Sequence, residues 1–133
     1  MSHVGIVLVS HSADIVRGLK QFLRQFQPNV PIAVAGGTDE GELGTSAFKI
    51  KEAIESVYSD KGVLVLFDLG SAFLHAEMAL ELLAEREGIQ FADAPLIEGA
   101  YAAVVEAGCG SGLDKVRISA EKAKQWQKIM RDE

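Results

Sequence analysis

Two side chains of complementary chemistry close two apolar runs. His11 stands in VSHS (9–12) at the end of VGIVLVS (4–10), and Asp68 opens DLGSA (68–72) after VLVLF (63–67). A neutral imidazole nitrogen is a nucleophile, and the group to which its other nitrogen donates decides which one attacks. Asp68 is the natural acceptor: it would hold the ring and stabilise positive charge that develops on it. The turns around them, SHSAD, AGGTDEGELGTS and DLGSA, are rich in glycine and hydroxyls and lead into helical patterns. Glycine lets backbone approach a ligand closely, and helix N-termini offer unpaired N–H groups to anions. This composition suits a phosphoryl group, with His11 as carrier, Asp68 as orienter, and Ser12, Gly37, Thr38, Gly70 and Ser71 in the loops that clamp it. Each feature alone is commonplace; the case rests on their convergence.

Such convergence requires a particular scaffold. The segments 4–10 and 63–68 are continuous apolar runs, the pattern of strands covered on both faces of a parallel sheet. A shorter strand is expected at 31–35 and a fourth at about 89–92. Between them Ile15, Val16, Leu19, Phe22, Leu23 and Phe26 draw one stripe along a first helix. A second helix runs from about 45 to 58, capped by Thr45 or Ser46. A third is expected from a Ser71 cap to about Arg86, stopped by Gly88, and a small-residue helix from about 98 to 107 ends in the turn GCGSG (108–112). A last amphipathic helix starts at Asp114, with Val116, Ala120, Ala123, Trp126 and Met130 on one side.

Alternating strands and helices imply right-handed crossovers. The expected class is therefore a doubly wound α/β sandwich, mainly parallel and of order 2-1-3-4, with helices on both faces. In such sheets ligands gather beyond the carboxyl ends of the strands, where the strand order reverses. Both His11 and Asp68 would lie there.

Composition narrows the function. The chain has 133 residues, the length of a single domain. Its 13 basic and 19 acidic residues give a net charge of −6, which argues against nucleic acid and anionic lipid as partners. No stretch suits a bilayer span, the N-terminus lacks a signal-peptide pattern, and the lone Cys109 has no internal partner. A cytoplasmic location follows as an expectation. Three scattered histidines and one cysteine show no zinc spacing. His3 reads as a disordered terminal residue, His75 as a solvated or interface histidine, and Trp126 as core or interface.

Four ordered motifs, VSHS at 9–12, GTDEGELGTS at 37–46, DLGSA at 68–72 and PLIEGAYAA at 95–103, resemble the mannose-type IIA domains of the phosphoenolpyruvate-dependent phosphotransferase system. The resemblance spans about residues 3 to 118. It implies a flavodoxin-like sheet, a homodimer, and phosphorylation of His11 by the phosphocarrier HPr, with Asp68 as partner carboxylate. The compact DLGSA, in place of a longer WGGSP-like turn, is similar to the branch serving dihydroxyacetone kinase. There the histidine passes its phosphoryl group to ADP on the kinase's nucleotide-binding subunit, and a separate subunit binds dihydroxyacetone. That branch implies no cofactor on this chain, with ADP or ATP and Mg on the partner subunit. Some of its members continue into fused carrier domains; a chain of one domain would need a separate HPr.

Other readings use the same histidine differently. A sugar-specific carrier of the same family would share the site but differ in the acceptor. A class II chelatase would use His11 as metal ligand or base and would need a second histidine on another loop, for which His75 is a poor candidate. A receiver module with Asp68 as phosphoacceptor would need an acidic pair after the first strand to hold Mg²⁺, where this chain has Ser10–His11.

Overall fold

The computed structural model describes residues 2–132. Four strands, β1 (Gly5–Ser10), β2 (Ile32–Gly36), β3 (Val63–Phe67) and β4 (Ile89–Phe91), form one parallel sheet in the order β2-β1-β3-β4. The helices are α1 (Ala13–Leu23), α2 (Ala47–Val57), α3 (Phe73–Leu82), α4 (Leu96–Gly108) and α5 (Leu113–Lys122). The expected α/β class and strand order are the observed ones.

β1 is buried along its whole length because it is flanked by strands and covered by helices. Within the apolar run the sheet's alternation is still present. Ile6, Leu8, Leu64 and Leu66 pack against α1, α4 and α5, whereas Val7, Val9, Val63 and Val65 pack against α2 and α3. Successive side chains point to opposite faces, so a strand buried on both sides looks unbroken in sequence.

The chain steps from β1 outward to β2, then returns across β1 to β3. The strand order therefore reverses between β1 and β3, and these strands end in Ser10–His11 and Phe67–Asp68. Val9 is in register with Phe67, and the Asp68 N–H donates to the Val9 carbonyl at 3.0 Å. The backbone ladder thus carries the two functional candidates to the same rim.

Gly36, at the end of β2, lets α1 begin against the sheet. A Cβ there would stand 2.6 Å from the Ala13 Cα and 2.8 Å from the Ser12 carbonyl. Because backbone cannot yield as a side chain can, Gly36→Ala is expected to cost about 1–3 kcal/mol, read as a lower urea midpoint. An unchanged midpoint would show that α1 is not seated on this glycine.

Several expectations need correction. In α1 only Val16, Leu19 and Leu23 are buried; Ile15 and Phe22 are about half exposed, as is Phe26, which lies in the turn beyond the helix end. The arc facing the sheet is narrower than the apolar stripe. Phe22 and Phe26 instead meet edge to face, and Phe26 continues onto Tyr101 and Tyr101 onto Trp126. Trp126 is half exposed, so of the two places expected for it the core is excluded.

Ser71 does not cap the third helix. Gly70–Ala72 form a 3-10 turn, and α3 follows without a side-chain cap. The helix also ends at Leu82 rather than near Arg86, because Leu83 turns extended and buries its side chain. Arg86 donates to the Leu83 and Glu81 carbonyls at that end, and Gly88, at φ +74°, serves the turn into β4. The last helix stops at Lys122, tightens into a 3-10 turn over Ala123–Gln125, and leaves Met130 exposed. His3 is not loose: its Nδ1 hydrogen-bonds with the Ala107 carbonyl at 2.9 Å.

Candidate active site

The Asp68 carboxylate sits under the rim and is held by four donors. Oδ2 accepts from the Ser10 hydroxyl at 2.8 Å and the His11 backbone N–H at 2.9 Å, while Oδ1 accepts from Leu69 N–H at 2.7 Å and His11 Nδ1 at 3.0 Å. Burial pushes its pKa up, but the hydrogen bonds from His11 N–H, the Ser10 hydroxyl, the His11 ring and Leu69 N–H favour the charged form. The net effect holds Asp68 below its ordinary value. It is therefore an acceptor-only carboxylate at neutral pH.

That fixes the imidazole. With an ionised carboxylate at Oδ1, Nδ1 must carry the proton, and the neutral ring's lone pair is left on Nε2. Nε2 lies 3.0 Å from the Ser71 hydroxyl, which is positioned to donate to it. The imidazole is 29% exposed while Asp68 is 16% exposed. The orienting carboxylate is the more covered of the two, and the imidazole is partly open to solvent.

The second loop is tied to the same residue from the other side. Gly37 N–H donates to the Ser10 carbonyl at 3.3 Å, and Gly44 N–H donates to the His11 carbonyl at 2.9 Å. Ser46 rather than Thr45 caps α2, accepting from Lys49 N–H. Thr45 is thereby left to hydrogen-bond with His75 Nδ1. The loops after β1, β2 and β3 all meet at His11.

The expected loop residues are placed unequally. Ser71 reaches the ring directly. Gly37 lies in the tie to Ser10 with φ +81°, a left-handed conformation that favours glycine. Gly70 opens the 3-10 turn that carries Ser71. Ser12 caps α1, accepting from Ile15 N–H, and Thr38 Oγ1 accepts from Glu42 N–H inside its own loop. The hydroxyl oxygens of these last two support local turns.

Ser10 is a site residue that the sequence motifs do not single out. It is fully buried, donates to Asp68, and its oxygen accepts from Ser12 N–H at 3.0 Å. A serine within a fully buried strand needs a partner, and the neighbouring strand ends on an aspartate; that was the available signal. Ser10→Ala is expected to destabilise the protein by about 1–3 kcal/mol and to move the Asp68 pKa up, since one lowering hydrogen bond is lost. Urea denaturation and a carboxyl NMR titration measure the two effects.

A cleft of about 850 Å³ opens beside Asp68, floored by Phe67, Phe73 and Phe91 and bordered by Arg117 and Lys124. His11 is not among the residues that line it. Among the described residues no group of three or more His, Cys, Asp or Glu side chains is arranged to hold a metal ion, and no helix is long and apolar enough to cross a membrane.

Comparison with known proteins identifies the family and the fold. The family model described as the PTS system fructose IIA component matches residues 5–117, a span that includes every element from β1 to α4. The chain belongs to this family. Its relatives include the "PEP-dependent dihydroxyacetone kinase, phosphoryl donor subunit DhaM" of Escherichia coli (strain K12), 44% identical over 126 residues, covering 90% of this chain and 27% of the relative. The corresponding kinase 1 subunit of Listeria innocua serovar 6a is 43% identical over 102 residues, covering 77% of this chain and 80% of the relative. The "PTS-dependent dihydroxyacetone kinase, phosphotransferase subunit DhaM" of Lactococcus lactis subsp. lactis is 38% identical over 118 residues, covering 89% and 94%. The chain thus spans little more than a quarter of the Escherichia coli relative and nearly all of the Lactococcus one.

The fold recurs in the crystal structure of the unknown-function protein EF1359, with 36% identity, a TM-score of 0.82, and coverage of 92% of this chain and 95% of that one. A sigma-54 interaction domain protein from Enterococcus faecalis has a TM-score of 0.70 at 14% identity and shows the fold alone. These likenesses show the same doubly wound sheet in two further proteins.

Proposed function

We propose that the chain is a histidine phosphocarrier of the dihydroxyacetone kinase system, accepting a phosphoryl group from phospho-HPr on His11 and delivering it to ADP on the kinase's nucleotide-binding subunit. The observation that carries this reading is the geometry around the ring: the Asp68 carboxylate lies 3.0 Å from Nδ1 and the Ser71 hydroxyl 3.0 Å from Nε2, which assigns the proton to Nδ1 and the lone pair to Nε2. The relatives' names, as phosphoryl donor subunits or, in Lactococcus, a phosphotransferase subunit of dihydroxyacetone kinase, support the branch.

In loading, the Nε2 lone pair attacks phosphorus and the donor–phosphorus bond breaks with its electron pair leaving on the donor. The product ring carries the phosphoryl group on Nε2 and a proton on Nδ1, so it is cationic, and the Asp68 carboxylate stabilises it. In discharge, a terminal oxygen of ADP attacks phosphorus and the Nε2–P bond breaks, returning the pair to Nε2. The proton on Nδ1 does not move in either step. Ser71 can turn its O–H from Nε2 to a phosphoryl oxygen, and the helix N-termini after the three loops favour the added negative charge. The domain requires no cofactor of its own in this scheme; ADP, ATP and Mg reside on the partner subunit. A homodimer working in the cytoplasm completes the proposal.

Transfer from phosphoenolpyruvate through enzyme I and HPr tests it. One acid-labile phosphoryl group per chain is expected, discharged by the ADP-loaded kinase subunit and not by free ADP. Discharge to a sugar-specific transporter component instead would place the chain in the sugar branch. Stoichiometric divalent-metal binding without labelling would favour chelatase-like chemistry.

A further inference from the structure

The hydrogen bond between Thr45 Oγ1 and His75 Nδ1 closes a ring of contacts around the transfer nitrogen. Beginning at His11, its carbonyl accepts from Gly44 N–H; the next residue is Thr45, which meets His75. His75 lies four residues beyond Ser71. The intervening Ala72 and Phe73 are both helical in backbone, at φ −71°, ψ −17° and φ −62°, ψ −36°. That spacing puts Ser71 and His75 on one face. Ser71 then returns to His11 Nε2 at 3.0 Å. A histidine that sequence alone reads as solvated or at an interface is therefore a link between the second loop and α3.

We propose that His75 is a positioning residue for phosphoryl transfer at His11: by holding the Thr45 hydroxyl it fastens the 37–46 loop to α3 and so fixes the mouth around Nε2. The inference rests on the phosphocarrier reading above. The second loop has few other ties across this side. Its internal hydrogen bonds, Thr38 N–H to Glu42 carbonyl, Gly41 N–H to Thr38 carbonyl and Ser46 hydroxyl to Asp39, shape the loop without anchoring it to α3. Its two backbone bonds reach Ser10 and His11 on the β1 side only. The packing of α2 on α3 secures the far end of the loop, but without the Thr45–His75 contact no hydrogen bond of the loop itself reaches α3, and the Gly44 N–H that locates the His11 carbonyl loses its neighbouring support. Small displacements at a reacting centre are costly in rate even where they cost little in stability.

The test measures saturating rate and KM for phospho-HPr in the parent and in His75→Ala, Thr45→Val, the double variant and His75→Asn, whose amide can occupy the place of Nδ1. His75→Ala and Thr45→Val are each expected to lower the saturating rate about tenfold with KM unchanged. The double variant is expected to be no slower than either single one, as members of one contact should be, and His75→Asn should restore most of the rate. Circular dichroism and melting follow the fold of each variant. Parental rates in His75→Ala, multiplying losses in the double variant, a rise in KM alone, or a lowered melting temperature at unchanged rate would each overturn the positioning role. If the parent itself takes up no phosphoryl group, the phosphocarrier reading fails and this inference with it; an active parent with an equally active His75→Ala sinks this inference alone.

Discussion

His11→Ala is expected to take up no phosphoryl group from phospho-HPr while keeping its fold. The ring makes no contribution to the buried clusters on either face of the sheet, and it is partly open to solvent. Its removal leaves Asp68 with the Ser10 hydroxyl and the N–H groups of His11 and Leu69, so no buried charge is left bare. Far-ultraviolet circular dichroism should be unchanged. Uptake should fall to background, because covalent carriage has no substitute once the nucleophile is gone. The other histidines do not offer one: His3 is bonded to the Ala107 carbonyl on the α4 side, and His75 is engaged with Thr45. Persistent labelling in this variant would transfer the carrier role elsewhere.

Asp68→Asn is expected to slow transfer by a factor of about 10²–10⁴ and to weaken the fold as well. The amide matches the carboxylate in shape but has one acceptor atom where the carboxylate has two. Each oxygen position receives a fixed backbone N–H, from His11 at one and Leu69 at the other. Either orientation of the amide therefore points its NH₂ at a backbone donor. If NH₂ faces the ring, Nδ1 becomes an acceptor, the proton moves to Nε2, and the lone pair required for attack is lost. If NH₂ faces Ser10, the tautomer survives but the negative charge that stabilises the phosphorylated ring does not. Stability is expected to drop by about 1–3 kcal/mol, with the fold retained.

The pH dependence separates this from a generic defect. Because the folded pKa of Asp68 is depressed, the unfolded chain binds a proton more readily in the acid range. Its contribution is complete above the ordinary carboxylate pKa of about 4 and is lost as the pH falls through the folded value. The stability gap between parent and Asp68→Asn should therefore be widest near neutrality and narrow on acidification, as measured by urea denaturation. A gap independent of pH would mean that the carboxylate's charge plays no part.

Much of this site was legible in the chain because its positions follow from topology. Two apolar runs buried on both faces had to be central neighbours in a parallel sheet, and a histidine and an aspartate at their carboxyl ends then had to share a rim. Details decided by competition between local and tertiary partners were less accessible. Ser71 has the sequence context of a helix cap, yet its hydroxyl is taken by the ring of His11. Ile15 and Phe22 continue the stripe of α1, but periodicity does not say how wide an arc the sheet covers, and they remain half exposed, while Phe26 falls beyond the helix end. Residues after Lys122 kept a helical spacing that the backbone abandons, with Trp126 extended and edge-on to Tyr101. His75 became meaningful only once Thr45 was released from capping by Ser46.

The central claim, that Asp68 reserves Nδ1 and leaves Nε2 to carry phosphate, is tested most directly by ¹⁵N and ³¹P NMR of the phosphorylated protein labelled at histidine. A single phosphorus coupled to Nε2 of His11, with Nδ1 still protonated, is the expected result. Phosphorus on Nδ1 would contradict it, since that atom is the one the carboxylate occupies.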